Sequence, residues 1–263
     1  MDLQLAEKIA LVSGSTAGIG NAIAASLARE GATVIVNGRT PAAVDGAVAA
    51  MKSATGGNVI GFAGDLSVAS VAEKLVGAHP QVDILVNNLG IFEVRAFEDI
   101  SDADWLRFFE VNVLSGARLS RLYLPSMRQR NWGRIIFISS ESGVQIPAEM
   151  IHYGMTKSAQ IAVARGLAEA TAGTGITVNS VLPGPTRSRG VGDFVADWAA
   201  KSGQSAQTVE SEFFKSARPT SLLKRFATPE EVAALVTFVA SPLSAATNGA
   251  ALRVDGGVVK SAF

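Results

Sequence analysis

Cysteine is absent from the 263 residues, which excludes a disulfide framework, a thiol nucleophile, cysteine-ligated zinc and iron–sulfur clusters. Histidine is nearly absent: His79 and His152 have no companions at ligand spacing, so no metal site is expected. Net charge is missing as well, because 23 basic side chains offset 23 acidic ones. A balanced chain has no electrostatic footprint for nucleic acid or an anionic membrane, and neither is expected as a partner. No apolar run reaches the ~18 residues of a membrane span; stretches such as Ala233 to Ala240 are short and bounded by charge or proline. The start, Met1-Asp2-Leu3-Gln4-Leu5, places acid where a secretion signal has basic residues, and the expected compartment is the cytoplasm. Tyrosine is scarce, with Tyr123 and Tyr153 the two examples. Hydride, acid–base or carboxylate chemistry remains.

What is present is a 48% hydrophobic, 17% charged composition suited to a compact globular chain. Short β-branched runs alternate with longer alanine-rich helical patterns, the signature of a parallel sheet covered by helices. Ile9 to Ser13, Thr33 to Asn37, Val59 to Phe62, Ile84 to Val86, Arg134 to Ser139, Ile176 to Val181 and Ala250 to Val254 read as seven strands. Their nearly continuous Val/Ile content suits strands buried on both faces. Ile19 to Arg29, Pro41 to Ala54, Val68 to Val76, Ala103 to Arg130, His152 to Thr171 and Pro229 to Ala240 read as helices. Thr228-Pro229-Glu230-Glu231 supplies an N-cap, a first-turn proline and a capping-box acid in order. With no linker or repeat, residues 1–263 read as one domain. Residues 186–219 break the rhythm: they are polar, yet carry Phe194, Val195, Trp198, Phe213 and Phe214 at roughly helical spacing. The segment is either a surface helix pair or a mobile lid over a ligand.

The first strand runs into Gly14-Ser15-Thr16-Ala17-Gly18-Ile19-Gly20 and a helix. Glycines there let backbone approach a pyrophosphate, which the helix N-terminus stabilises. The second strand ends without the acidic residue that would accept hydrogen bonds from an NAD ribose, and Arg39 follows instead. A guanidinium suits a 2′-phosphate, so NADP is favoured, with NAD the alternative. Tyr153 and Lys157 lie four apart on one helix face. A neighbouring ammonium favours the phenolate, and such a pair can move a proton at an alcohol or carbonyl oxygen.

Ser140 stands 13 residues before Tyr153, Asn112 lies on the long helix, and Asn87-Asn88-Leu89-Gly90 follows the fourth strand. Together with Asp65-Leu66, Pro183-Gly184 and Val254-Asp255-Gly256-Gly257, this order resembles the short-chain dehydrogenase/reductase family over essentially the whole chain. The resemblance implies a Rossmann-type doubly wound seven-stranded sheet with helices on both faces. It also implies roles. Tyr153 would exchange the proton, Lys157 would lower its pKa and bind the nicotinamide ribose, Ser140 would hold the substrate oxygen, and Asn112 would hold a water. Asp65 and Leu66 would flank the adenine, Asn88 and Gly90 the adenosine ribose, and Pro183, Gly184 and Thr186 the nicotinamide amide. The helices carrying Asn112 and Tyr153 resemble those through which relatives form oligomers, so a homo-oligomer, specifically a tetramer, is expected.

Two departures stand out: Leu89 replaces the usual alanine, and neither Ser15 nor Thr16 supplies a second cation for NADP. Residues expected to face the substrate are Ser140, Ser142, Val144, Gln145, Tyr153 and Pro185, with Phe92, Glu93, Ile146 and Met150 nearby. Glu141 and Glu149 read as solvated or rim residues. The substrate is expected to be a small carbonyl or alcohol compound, with a 3-oxoacyl thioester of a carrier protein or a sugar or polyol as alternatives. A dinucleotide-binding regulator without turnover is the non-enzymatic alternative.

Overall fold

The computed structural model describes residues 1–262, apart from the side chains of Arg189, Asp193, Phe194 and Asp197; Phe194, part of the apolar pattern above, thus lies outside the described side chains. Seven strands, β1 (Ile9–Val12), β2 (Thr33–Gly38), β3 (Val59–Ala63), β4 (Ile84–Asn87), β5 (Gly133–Ile138), β6 (Ile176–Pro183) and β7 (Ala251–Val254), form one sheet in the order β3-β2-β1-β4-β5-β6-β7. Every pairing is parallel, as in the registers Ile9 to Thr33 and Ala10 to Ile84. Strand order reverses between β1 and β4, so the loops leaving their C-terminal ends diverge and open a crevice there.

The helices are α1 (Gly18–Arg29), α2 (Pro41–Thr55), α3 (Ala69–Ala78), α4 (Asp102–Phe109), α5 (Ser115–Arg130), α6 (Ile151–Ala170), α7 (Arg189–Ser202), α8 (Ala206–Ser216) and α9 (Pro229–Ala240). Side chains alternate across the strands, which sends Ala10, Val12, Val34 and Val36 to one face and Leu11 and Ile35 to the other. The first face packs on Ile23 and Leu27 of α1, Met51 of α2 and Val232, Val236 and Val239 of α9. The second packs on Leu75 of α3, Leu119, Tyr123 and Met127 of α5, and Ala164 and Ala168 of α6. Each fully buried aliphatic side chain of this size contributes roughly 1.5–3 kcal/mol. The capping box of α9 forms: Glu231 N–H donates to Thr228 Oγ1 at 3.2 Å and Thr228 N–H to Glu231 Oε2 at 2.8 Å.

The long helix expected over 103–130 is interrupted. Residues Glu110–Leu114 form a π-helical turn between α4 and α5, and Asn112 sits in it, fully buried. Asn112 Oδ1 accepts from Ile91 N–H at 2.8 Å, while its Nδ2 donates to Ile91 O at 3.0 Å and to Thr156 Oγ1 at 2.9 Å. The widened turn presents the amide to both partners, a use of π-turns that recurs at functional sites.

Tyr123 is fully buried, and its hydroxyl has no hydrogen-bond partner among the described residues. Burial pushes this phenol far above its ordinary pKa. Removing an unsatisfied buried hydroxyl relieves a cost of about 1–3 kcal/mol. Tyr123→Phe is therefore expected to leave stability unchanged or raise it in urea unfolding; a loss above ~1 kcal/mol would mean that the hydroxyl has a partner.

Candidate active site

At the end of β1 the chain turns through Gly14, whose φ is +61°. The turn is tied on both sides. Ser15, fully buried, donates its hydroxyl to Val12 O at 2.6 Å and accepts from Asn37 N–H at 2.9 Å. Asn88 Nδ2 donates to Ser13 O at 3.0 Å and Gly14 O at 2.9 Å. A Cβ on Gly20 would fall 2.4 Å from Asn88 Nδ2 and 2.5 Å from Gly14 O, so only glycine admits this closure. Helix α1 begins here with no side-chain cap at Ala17 and no acid in its first turn. Its leading N–H groups remain for an anion, as a dinucleotide pyrophosphate requires. Gly90 is looser: a Cβ there would make ordinary contacts of 3.5 Å with Asn112 Oδ1 and Lys157 Nζ. Thr16 packs beside Gly38, and Arg39 is exposed with no ion-pair partner among the described residues. Asp65 Oδ1 accepts from Ser67 N–H at 2.9 Å and Ser67 Oγ at 2.6 Å. Leu66 differs from expectation in one respect: its side chain is buried in the second core, so only its backbone is left to border a ligand.

At the other end, α6 brings Tyr153 and Lys157 beneath β5. Lys157 is buried, and Nζ donates to Ile138 O at 2.9 Å and Gln160 Oε1 at 3.1 Å. Gln160 in turn donates to Asn112 O at 2.5 Å. Burial with no carboxylate beside it lowers the Lys157 pKa to about 7. The ammonium lies 5.6 Å from the centre of the Tyr153 ring, and Phe92 packs edge-on to that ring at 6.3 Å. Burial raises the Tyr153 phenol well above its ordinary pKa, the Ser140 hydrogen bond opposes that rise, Glu141 adds to it and Arg218 lowers it.

Glu141 is where the sequence reading fails most clearly. It is buried, not solvated. Its Oε2 accepts from Ser140 Oγ at 2.5 Å, Ser142 N–H at 2.7 Å and Ser142 Oγ at 3.0 Å, and its Oε1 accepts from Arg218 Nε at 3.0 Å. Arg218 Nη1 also reaches Glu149 Oε1 at 3.3 Å and Ala217 O at 2.8 Å. A buried carboxylate is tolerable only when paired in this way.

A cleft of about 680 Å³ joins the two ends. Ile19, Asn88, Gly90, Ser140, Ser142, Tyr153, Lys157, Pro183, Gly184, Pro185 and Thr186 line it. Val144 and Gln145, expected against the substrate, do not: both are exposed, because the turn after Gly143 points them outward. Glu93 is taken up by Arg95 at 2.5 Å and Arg107 at 3.1 Å. The outer wall comes from the 186–219 segment, where α7 and α8 pack Val195, Val209 and Phe214 with Phe226 into a small core of their own, with Trp198 and Phe213 facing the cleft. Two distant motifs meet below it. Gly184 N–H donates to Val254 O at 3.2 Å, and a Cβ on Gly184 would fall 2.4 Å from Asp255 O, while Asp255 folds the following turn by accepting from Gly257 and Val259 N–H.

Sequence reasoning missed Gln160, Thr156 and Arg218. Gln160 and Thr156 share the α6 face of Tyr153 and Lys157 and could have been found by helical spacing; Arg218 carries no local signal.

Comparison with known proteins gives a consistent result. A family model described as "Enoyl-(Acyl carrier protein) reductase" matches residues 14–259. The uncharacterized oxidoreductase YvaG of Bacillus subtilis is 48% identical over 264 residues, covering 100% of both chains. D-beta-hydroxybutyrate dehydrogenase of Cupriavidus necator is 36% identical, covering 96% of this chain and 98% of that one. Among solved structures, L-sorbose reductase from Gluconobacter frateurii, complexed with NADPH and L-sorbose, superposes with a TM-score of 0.93 at 29% identity, over 99% of this chain and 100% of that one. These matches run nearly end to end, and the chain belongs to the short-chain dehydrogenase/reductase family, oxidoreductases acting on CH–OH and C=O groups.

Proposed function

We propose that this chain moves hydride between NADP and the carbon of a secondary alcohol or ketone, with Tyr153 exchanging the proton. The observation that carries the reading is one cleft lined by Ser140, Tyr153 and Lys157 together with Ile19 of the glycine turn and Asn88 and Gly90 beside it. A bound nicotinamide supplies or accepts the hydride. Tyr153 donates to the forming alkoxide or takes the alcohol proton, and Ser140 holds the same oxygen. Lys157 binds the ribose and stabilises the phenolate; Asn112, fixed by Ile91 and Thr156, keeps its backbone carbonyl on Gln160, which orients Lys157. The α7–α8 segment acts as a lid that excludes water from the reacting atoms.

NADP is favoured over NAD because Arg39, at the end of β2, is exposed with no ion-pair partner among the described residues; the sorbose reductase it resembles was crystallised with NADPH. A charge-assisted contact of about 1.5–3 kcal/mol gives roughly ten- to a hundredfold in affinity. Arg39→Ala is expected to raise the Michaelis constant for NADP by that factor and leave NAD nearly unchanged; equal changes for both would remove the phosphate assignment. A free small-molecule substrate is the reading favoured over a carrier-protein thioester: of the two arginines close in sequence to the place where a carrier-protein reductase would be basic, Arg130 is bonded to Asp83 at 3.3 Å and Val82 O at 2.9 Å, and Arg128 to Ala170 O at 2.8 Å. A screen of sugars, keto-acids, cyclic ketones and acyl thioesters, followed at the nicotinamide absorbance with both dinucleotides, tests the reading; binding of dinucleotide without turnover on any member would favour a regulator.

Leu106, Phe109 and Leu114 are exposed on the α4–α5 face, which supports a homo-oligomer, with a tetramer as the specific expectation. Sedimentation is expected to show it, and a monomer at micromolar concentration would oppose it. No helix among the described residues is long and apolar enough to cross a membrane; a cytoplasmic setting is consistent with that and with the absence of cysteine.

A further inference from the structure

The Ser140 hydroxyl has one proton, and the structure shows where it goes. Ser140 Oγ donates to Glu141 Oε2 at 2.5 Å, and the same oxygen atom also accepts from Ser142 N–H at 2.7 Å. The other groups on Glu141 are Ser142 Oγ at 3.0 Å and the guanidinium of Arg218, whose Nε donates to Oε1 at 3.0 Å. While that proton points to Glu141, Ser140 Oγ meets Tyr153 and a substrate oxygen as an acceptor, and donating to either requires the hydroxyl to rotate off the carboxylate. Arg218 competes for the same carboxylate through Oε1, and it arrives from the chain just beyond α8, the far end of the 186–219 wall.

We propose that Glu141 is a positioning residue that turns the Ser140 hydroxyl proton away from Tyr153, and that Arg218 sets how strongly it does so. The inference rests on the alcohol–carbonyl reading above. With Arg218 docked, the carboxylate is partly neutralised and its hold on the Ser140 proton is moderate. With Arg218 withdrawn, a bare buried carboxylate holds the proton firmly and repels a phenolate. The setting of the serine is thereby coupled to the seating of the α7–α8 segment, although neither Glu141 nor Arg218 exchanges a proton with substrate.

Among the described residues, the charged and titratable groups around Tyr153 are few. Lys157 lies on its own helix, Glu141 on the turn after β5, Glu149 on the turn before α6, and Arg218 beyond α8; His152 is turned the other way, onto Phe108. The directions in which these act on Tyr153 agree with the proposal, since Glu141 raises the phenol and Arg218 lowers it.

The test is a pair of substitutions with opposite outcomes. In the alcohol-oxidising direction, Glu141→Gln is expected to move the acid limb of the kcat/KM profile down by about one pH unit, and Arg218→Gln to move it up by a similar amount. The double variant is expected near the wild-type profile, and Arg218→Lys, which keeps the charge, is expected to restore most of the Arg218→Gln shift. Loss of packing alone would shift both single variants alike or neither, and either pattern would overturn the proposal. Should Glu141→Gln fail to fold, the contrast between Arg218→Gln and Arg218→Lys decides the matter. A second readout needs no turnover. The chain has two tyrosines, so in a Tyr123→Phe background phenolate absorbance reports Tyr153 alone, and its midpoint with oxidised dinucleotide bound should fall and rise in the same two variants. Inactivity on every alcohol and ketone would remove the functional reading, while unmoved absorbance midpoints would remove this inference.

Discussion

Tyr153→Phe is expected to lower kcat by about 10²–10⁴-fold, the usual contribution of a positioned general acid or base, while dinucleotide affinity changes by no more than a few-fold. The substitution removes one oxygen and keeps the ring, so the edge-on packing with Phe92 at 6.3 Å survives. It leaves the glycine turn, Asn88 and the α1 N-terminus untouched, and those features hold the far end of the dinucleotide. Turnover followed at the nicotinamide absorbance, with dinucleotide binding titrated separately, checks both halves. Retention of more than about a tenth of the activity would exclude Tyr153 as the proton carrier, since no other tyrosine reaches the cleft: Tyr123 is buried within the second core.

The second large effect is on stability. Lys157 is buried, and burial brings its pKa down to about 7 from an ordinary value near 10.5. Below pH 7 both the folded and unfolded chains hold the proton, and the folded chain bears the full cost of a buried ammonium. Between about 7 and 10.5 the folded chain sheds the proton and the unfolded chain keeps it, so stability rises with pH across that window. The rise attributable to this group is up to about 4–5 kcal/mol. Lys157→Met fits the same space without the charge and lacks this dependence. The variant is therefore expected to be more stable than wild type at pH 6, with the advantage shrinking steadily toward pH 10. Tyr123 and Tyr153, whose raised values oppose stability above their ordinary range, are present in both chains and cancel from the comparison. Urea unfolding at several pH values measures it, and a constant difference between the two proteins would show that Lys157 stays charged throughout.

Much of the fold is legible in the amino acids because the signals are local. Strands such as Thr33–Gly38 and Ile176–Pro183 are buried on both faces and open on β-branched runs, Thr33 to Val36 and Ile176 to Val178. The glycine turn follows from a backbone conformation that side chains resist, and the Tyr153–Lys157 pair from the pitch of one helix. What escapes has a tertiary cause. Nothing in Glu-Val-Asn-Val-Leu breaks a helical pattern, and the π-turn there exists because Asn112 must reach Ile91 and Thr156 together. Glu141 reads as a surface charge because its counterion stands 77 residues away in a segment without a motif. Val144 and Gln145 follow Ser140 closely in sequence, but the short turn that buries Glu141 and Ser142 carries them outward.

The widened turn at Glu110–Leu114 has a geometric consequence for the helices on either side. In an uninterrupted α-helix Phe108 and Leu119, eleven positions apart, would lie within about 20° of one another around the axis. One additional residue in the turn offsets them by about 100°. Phe108 can then pack against His152 of α6, with ring centres 4.0 Å apart and planes tilted by 55°, while Leu119 and Tyr123 face the sheet. The turn works as a phase joint that lets one continuous rod serve two packing partners in different directions, with Asn112 buried at the offset itself.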